Sequence, residues 1–351
     1  MNHSFPEWLS YNDVLLLPQI SDIKSRSDVD LSTQITPHVR LDIPLISINM
    51  TDVTGVDMAV ALGKLGGLGF LPRFVTPEIQ ADMVSEVKKA GVKVGAAIGC
   101  KDGYIDRAEV LAKAGADIIT LDVAHGGMRQ AIDATRILKS KFGKEIDIVS
   151  GVVGTYDTAY ALFKAGADSV RVGVGPGTIC ITRTQTGVGA PQITAVIEAS
   201  RAARKLGKTV LCDGGTENSG DIVKGLAGGA SAVIIGSQFA GHDECPGKII
   251  LKDGLQYKSY NASTSLAEKK NHEKVLDHLA KDYTKHIEGV ESFVPYKGPL
   301  KDSVDLWTAN IRSGLSYCNA KNISELWKNA YFVRVSPMGF HENGAHNVIV
   351  R

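Results

Sequence analysis

Residues 164–182 read K-A-G-A-D-S-V-R-V-G-V-G-P-G-T-I-C-I-T and hold one unit of the fold in miniature. The first five residues close a helix with glycine and open the next strand, the usual chemistry of a helix-to-strand loop. An apolar, strand-like run follows from 168 to 174. Gly173, Gly175, Pro176 and Gly177 then forbid a strand or a helix to continue, so the backbone turns sharply. The turn delivers Cys180, flanked by the hydroxyls of Thr178 and Thr182. A lone cysteine is more often a small buried hydrophobe. Here the loop around it is too costly to be idle, because its exposed amides and carbonyls suit a phosphate or a cation within reach of a thiol.

The unit recurs along the chain. K-A-G-A-D also occupies 113–117, and Gly-Gly-Ala-Ser at 228–231 is a looser copy. Short apolar runs occur at 43–48, 67–71, 92–98, 118–122, 146–152, 169–174, 209–213 and 232–236. Between them, apolar residues fall at helical spacing over 56–65, 77–90, 104–114, 128–141, 156–165, 193–206 and 220–227. Strands apolar on both faces and separated by helices predict a parallel sheet, and eight such units predict closure into an α/β (β/α)₈ TIM barrel. The expected organisation is one barrel domain over 1–351. It carries a charged flap insertion near 257–297, further helices at 303–311 and 323–330, and a C-terminal segment at 331–351.

Composition narrows the function. The 351 residues carry a formal charge of +1 and no basic run with interleaved aromatics, which argues against a nucleic-acid partner. No apolar stretch approaches the ~20 residues of a membrane span, and the N-terminus lacks a signal pattern. A cytoplasmic protein is expected. Five cysteines without close pairing suit a reducing compartment, and no zinc-ligand spacing occurs.

In such a barrel, chemistry sits on loops leaving the C-terminal ends of the strands. Asn49 and Met50 follow the first run, Arg73 the second, Asp122 and His125 the fourth, and the cysteine loop the sixth. Asp213, Gly214 and Gly215 follow the seventh, and Gly236 and Ser237 the eighth. The glycine turns after the last two strands predict a phosphate-binding corner.

G-V-G-P-G-T-I-C-I-T followed by T-G-V-G-x-P-Q resembles the active-site loop of the IMP dehydrogenase and GMP reductase family. The likeness extends from S-Y-N-D-V-L-L-L-P through K-S-R-S-D-V-D-L to Y-F-V-R-V. It implies that Cys180 adds to carbon 2 of a purine mononucleotide and that hydride passes between that carbon and a nicotinamide. By the same resemblance Thr178, Gly214, Gly215, Gly236, Ser237 and Tyr260 would surround the phosphate, Asp213 the ribose, and Met50 the base. Asp122, Ala124, His125, Gly173 and Gly175 would line the nicotinamide pocket. A potassium ion would take carbonyls of Gly175, Gly177 and Cys180, together with Glu342, Asn343 and Gly344 of a neighbouring subunit, which implies a homotetramer.

The family's dehydrogenases hydrolyse the cysteine adduct with water activated by an Arg-Tyr pair on the flap. No Arg-Tyr dipeptide exists in this chain, where Asp282 precedes Tyr283. The dehydrogenases' usual regulatory tandem domain is also missing. A reductase needs a thiolate and a proton donor for departing ammonia, roles that Thr182 and Glu288 match. Gly241, His242 and Glu244 point the same way. In the other direction, the long flap, V-P-Y-K-G-P-L and H-E-N-G-A-H-N resemble dehydrogenases, and Ser263 stands where both patterns have a base-contacting Met. The expectation is an NADPH-dependent GMP reductase. The alternatives are an NAD-dependent IMP dehydrogenase without the regulatory domain and a catalytically silent purine-nucleotide sensor.

Overall fold

The computed structural model describes residues 5–143, 145–275 and 282–345. Its centre is a closed barrel of eight parallel strands: β1 (Leu45–Ser47), β2 (Leu68–Leu71), β3 (Val94–Ile98), β4 (Ile118–Asp122), β5 (Asp147–Val153), β6 (Ser169–Val172), β7 (Thr209–Asp213) and β8 (Ala232–Ile235). Each strand pairs with its neighbour in sequence, and β8 closes the ring on β1 through Val233 opposite Leu45. All eight expected strands are present, and helices lie between consecutive strands.

Local sequence explains the alternation. Thr76 caps the helix Pro77–Lys89 by accepting from Ile79 N–H, Pro77 sits where no amide hydrogen is needed, and Lys88 and Lys89 face the negative end of the helix dipole. Gly166 ends the helix Tyr156–Ala165 at φ +110°, which releases the chain into β6. Lys139 and Lys208 then bind Asp168 of the same repeat, at 2.7 and 3.3 Å.

Fully buried side chains of β1, β2, β4, β5 and β7 fill the barrel, among them Ile46, Leu68, Phe70, Ile118, Val149 and Leu211. A short antiparallel hairpin, Thr33–Thr36 with Val39–Leu41, adds Ile35, Val39 and Leu41 to the same cluster. Strand Val14–Leu16 pairs with Phe332–Arg334, so the extended Y-F-V-R-V is tied to the start of the chain.

Beyond β8, strands Ile249–Lys252, Leu255–Ser259 and Phe293–Pro295 form a small antiparallel sheet. Two of these strands are the roots of the flap. Between them the helix Leu266–Val275 docks onto the loops after β1 and β2: Glu268 accepts from Thr51 at 3.1 Å, and the His272 ring stacks on Phe74 at 3.6 Å. Residues 276–281 of the flap and 346–351 of the C-terminal segment lie outside the described residues. Among the described residues, no helix is long and apolar enough to cross a membrane.

Candidate active site

β6 ends at Val172, and the glycine-proline run turns the chain at the C-terminal end of the barrel. Gly173 cannot carry a side chain, because a Cβ there would lie 1.9 Å from the Asp213 carbonyl oxygen. Arg183 braces the loop by donating to the carbonyls of Val174 (3.4 Å) and Ala190 (2.5 Å). The chain returning from the flap then zips onto it. Ile181 N–H donates to the Glu288 carbonyl at 2.9 Å, and Val290 N–H to that of Ile179 at 3.1 Å.

This pairing sets three side chains in line. Cys180 Sγ lies 3.2 Å from Thr182 Oγ1, which donates to Glu288 Oε2 at 2.7 Å. A hydroxyl has one proton to give. With that proton committed to the carboxylate, the thiol is the donor to Thr182, so the line runs from sulfur to Glu288. Cys180 is half-buried, whereas the other four cysteines are buried.

A second line of charge crosses the barrel mouth. Arg171, 3% exposed, donates to Asp213 Oδ2 through Nε (2.9 Å), forms an ion pair with the same oxygen through Nη2 (2.7 Å), and reaches Asp122 Oδ1 at 3.2 Å. Arg73 Nε donates to the other Asp122 oxygen at 3.0 Å. Burial acts to raise the Asp122 carboxyl, but Arg171 and Arg73 outweigh it and hold the group below its ordinary range. At Asp213 burial prevails over Arg171, and the pKa moves up.

These groups face one cavity of about 290 Å³. Its wall gathers Met50, Asp122, Ala124, Gly173, Gly175, Gly177, Thr178, Cys180, Thr182, Asp213, Gly214, Gly215, Gly236, Ser237, Tyr260, Ser263 and Glu288. At one corner Thr178 Oγ1 and Ser237 Oγ stand 3.2 Å apart. There the Tyr260 hydroxyl lies so close to Gly236 that a Cβ on Gly236 would come within 2.7 Å of it. A neighbouring cavity of about 740 Å³ shares Arg73, Val123 and Ala124 with the first and is also lined by Lys101, Tyr104 and Tyr283.

Four expected residues do not reach the cavity wall. His125 is exposed beside Gly127, and Glu342, Asn343 and Gly344 follow the short helix Pro337–His341 at the surface. His242 and Glu244 serve packing: the imidazole bonds the Phe239 carbonyl and Ser303 Oγ, and Glu244 accepts from Leu300 N–H. Arg171 was missed as a site residue. Its signal was a charge inside an otherwise apolar barrel strand, two strands from one terminal aspartate and adjacent to another.

Known proteins resemble this chain over nearly its whole length. The IMP dehydrogenase / GMP reductase domain matches residues 8–346. The chain is 32% identical to an inosine-5'-monophosphate dehydrogenase of Nitrosopumilus maritimus, with 99% of both chains covered. It is 30% identical to a GMP reductase of Leishmania donovani, with 98% of both covered. The crystal structure of a GMP reductase variant from Trypanosoma brucei in complex with guanosine 5'-monophosphate superposes with a TM-score of 0.94 at 27% identity, covering 99% of this chain and 100% of that one. The two sequence alignments span 474 and 487 positions against 351 residues here, so both the dehydrogenase and the reductase carry a large segment that this chain lacks. The lack of such a segment therefore does not separate the two activities. The chain belongs to the IMP dehydrogenase / GMP reductase family of purine-nucleotide oxidoreductases.

Proposed function

We propose that the protein is a GMP reductase, converting GMP to IMP and ammonia with NADPH through a covalent Cys180 adduct. The observation that carries this reading is the line from Cys180 through Thr182 to Glu288, in a chain with no arginine anywhere between residues 257 and 297. The line moves a proton away from sulfur and returns it to a leaving amine. It does not depend on a flap arginine to activate water.

In this reading Cys180 gives its proton through Thr182 to Glu288 and adds to carbon 2 of guanine, forming the sulfur–carbon bond. The proton returns along the same line to the exocyclic amine, the electron pair displaced onto the ring nitrogen re-forms its double bond to carbon 2, the carbon–nitrogen bond breaks and ammonia leaves. When bound, NADPH supplies a hydride to carbon 2. Breakage of the carbon–sulfur bond then releases IMP and restores the thiolate. Asp213 accepts the ribose hydroxyls, Met50 packs on the base, and the corner of Thr178, Gly214, Gly215, Gly236, Ser237 and Tyr260 takes the phosphate. Asp122, Ala124, Gly173 and Gly175 face the nicotinamide. The adjoining cavity, sharing Arg73 with the first, offers room for the rest of a dinucleotide.

The potassium proposal depends on assembly. Gly175, Gly177 and Cys180 belong to the cysteine loop, but Glu342, Asn343 and Gly344 lie outside its cavity in the same chain. A second copy must bring them, consistent with a homotetramer. Mass measurement in potassium and in sodium tests both together.

IMP dehydrogenase is the second reading, favoured by the 32% identity to the Nitrosopumilus enzyme. An absorbance assay pairing GMP with NADPH and IMP with NAD separates them. NADPH oxidation is the expected result; NADH formation would establish the dehydrogenase, and silence in both would establish the sensor.

A further inference from the structure

A phosphate monoester brings nearly two negative charges, and burying such a group without a cation is costly. The corner assigned to it offers only hydroxyls and amides, from Thr178, Gly214, Gly215, Gly236, Ser237 and Tyr260. Among the described residues lining the cavity, Arg73 and Arg171 are the cationic side chains, and both are committed to carboxylates. The corner lacks a charge of its own.

Lys297 stands behind it. Its ammonium donates to the carbonyls of Ser237 (3.2 Å) and Gln238 (2.7 Å), the residues that form the turn after β8. Its backbone N–H donates to the Gly241 carbonyl at 2.9 Å, which fixes the lysine against that turn. No Asp or Glu among the described residues forms an ion pair with it. The residue is exposed as a whole, while desolvation of its ammonium against these carbonyls acts to lower its pKa, and no anion stands beside it.

We infer that Lys297 is the cationic positioning residue of the phosphate corner, acting through the carbonyls of Ser237 and Gln238. The inference rests on the reading of that corner as a phosphate site. Two carbonyls drawn onto the ammonium fix the peptide planes of the turn, and the positive charge behind the turn favours an anion in front of it. The ligand class is a nucleoside monophosphate. A nucleoside without the phosphate gains nothing from this lysine.

Calorimetric titration of the full chain with GMP and with guanosine tests this. The wild type is expected to prefer GMP. Lys297→Met and Lys297→Gln are expected to cut the GMP-to-guanosine affinity ratio by about tenfold, an exposed-to-half-buried charge being worth that order. Guanosine affinity stays unchanged, and Lys297→Arg restores most of the ratio. The Gln variant keeps a polar donor on a stem one bond shorter and serves if the Met variant fails to fold, while rescue by Arg reads the charge. A ratio unchanged in the Gln variant, or an equal loss of both ligands, would overturn the inference. A wild type that binds guanosine as tightly as GMP would instead overturn the phosphate corner itself.

Discussion

Arg171 grips Asp213 with two nitrogens, Nε at 2.9 Å and Nη2 at 2.7 Å, while a third reaches Asp122 at 3.2 Å. One guanidinium thus serves the carboxylates assigned to two different ligands. Removing it leaves both acids facing each other without their shared cation. Arg171→Met should destabilise the fold by roughly 3–5 kcal/mol, the range for breaking a buried pair from one side. Urea denaturation with and without nucleotide measures it, and a loss below ~1 kcal/mol would mean the carboxylates find other partners.

Cys180 is the half-buried thiol at the head of the proton line. Cys180→Ala should abolish turnover and leave GMP binding within a few-fold of wild type, since the phosphate and ribose contacts proposed here involve other residues. Paired kinetics and calorimetry check it. Turnover near the wild-type rate would remove the covalent mechanism.

Glu288 is 106 positions from Thr182 in sequence and 2.7 Å from it in space. If the carboxylate stores the thiol's proton, Glu288→Gln should slow ammonia release by about 10² to 10⁴ while barely changing the KM for GMP. The amide keeps the size and loses the proton capacity. An unchanged single-turnover rate would leave Thr182 without a partner.

The barrel was legible because two features of its strands are written in sequence: apolar side chains on both faces, and glycine at each helix end. The repeats at Lys113 and Lys164 make the count explicit. The hairpin Thr33–Thr36 with Val39–Leu41 was not legible. Its strands are too short for periodicity to register, and their pairing matters only because the barrel leaves space for Ile35, Val39 and Leu41. At the site, Asp122 and Asp213 stood out as acids closing apolar strands. The meeting of Glu288 with Thr182 could be expected only by resemblance, because it depends on a flap that folds back onto the cysteine loop. His125 shared its loop with Asp122 and Ala124, but proximity in sequence does not fix which way a loop residue faces.

Gly173 offers a stability test of the close approach between β6 and β7. A Cβ at this position would meet the Asp213 carbonyl at 1.9 Å, where only backbone can yield. Gly173→Ala should cost about 1–3 kcal/mol and shift Asp213, raising the KM for nucleotide along with lowering the melting temperature. Wild-type stability would show that β7 moves freely, contrary to the packing seen here.

The last prediction concerns pH and the flap. His272 is buried between Phe74 and Tyr283, stacked on the first at 3.6 Å and bonded to the second at 2.8 Å. Burial, with Arg73 and Lys269 adding repulsion, lowers its pKa from 6.5 to about 3. Glu268 Oε2 is 3.8 Å from its other nitrogen, and burial raises the Glu268 carboxyl. The docked imidazole refuses a proton that an undocked one accepts below 6.5. Docking by this group is therefore fully present above pH 6.5 and is lost as pH falls toward 3, by up to about tenfold per pH unit. Limited proteolysis of the flap between pH 5 and 7.5 reads the docking equilibrium. His272→Phe keeps the stack and removes the ionisation while Glu268 remains, so it should flatten the part of the pH dependence that belongs to the imidazole. A slope identical in the variant would overturn the role of the imidazole, because Glu268, raised by burial, favours docking as pH falls and gives a slope of the opposite sign.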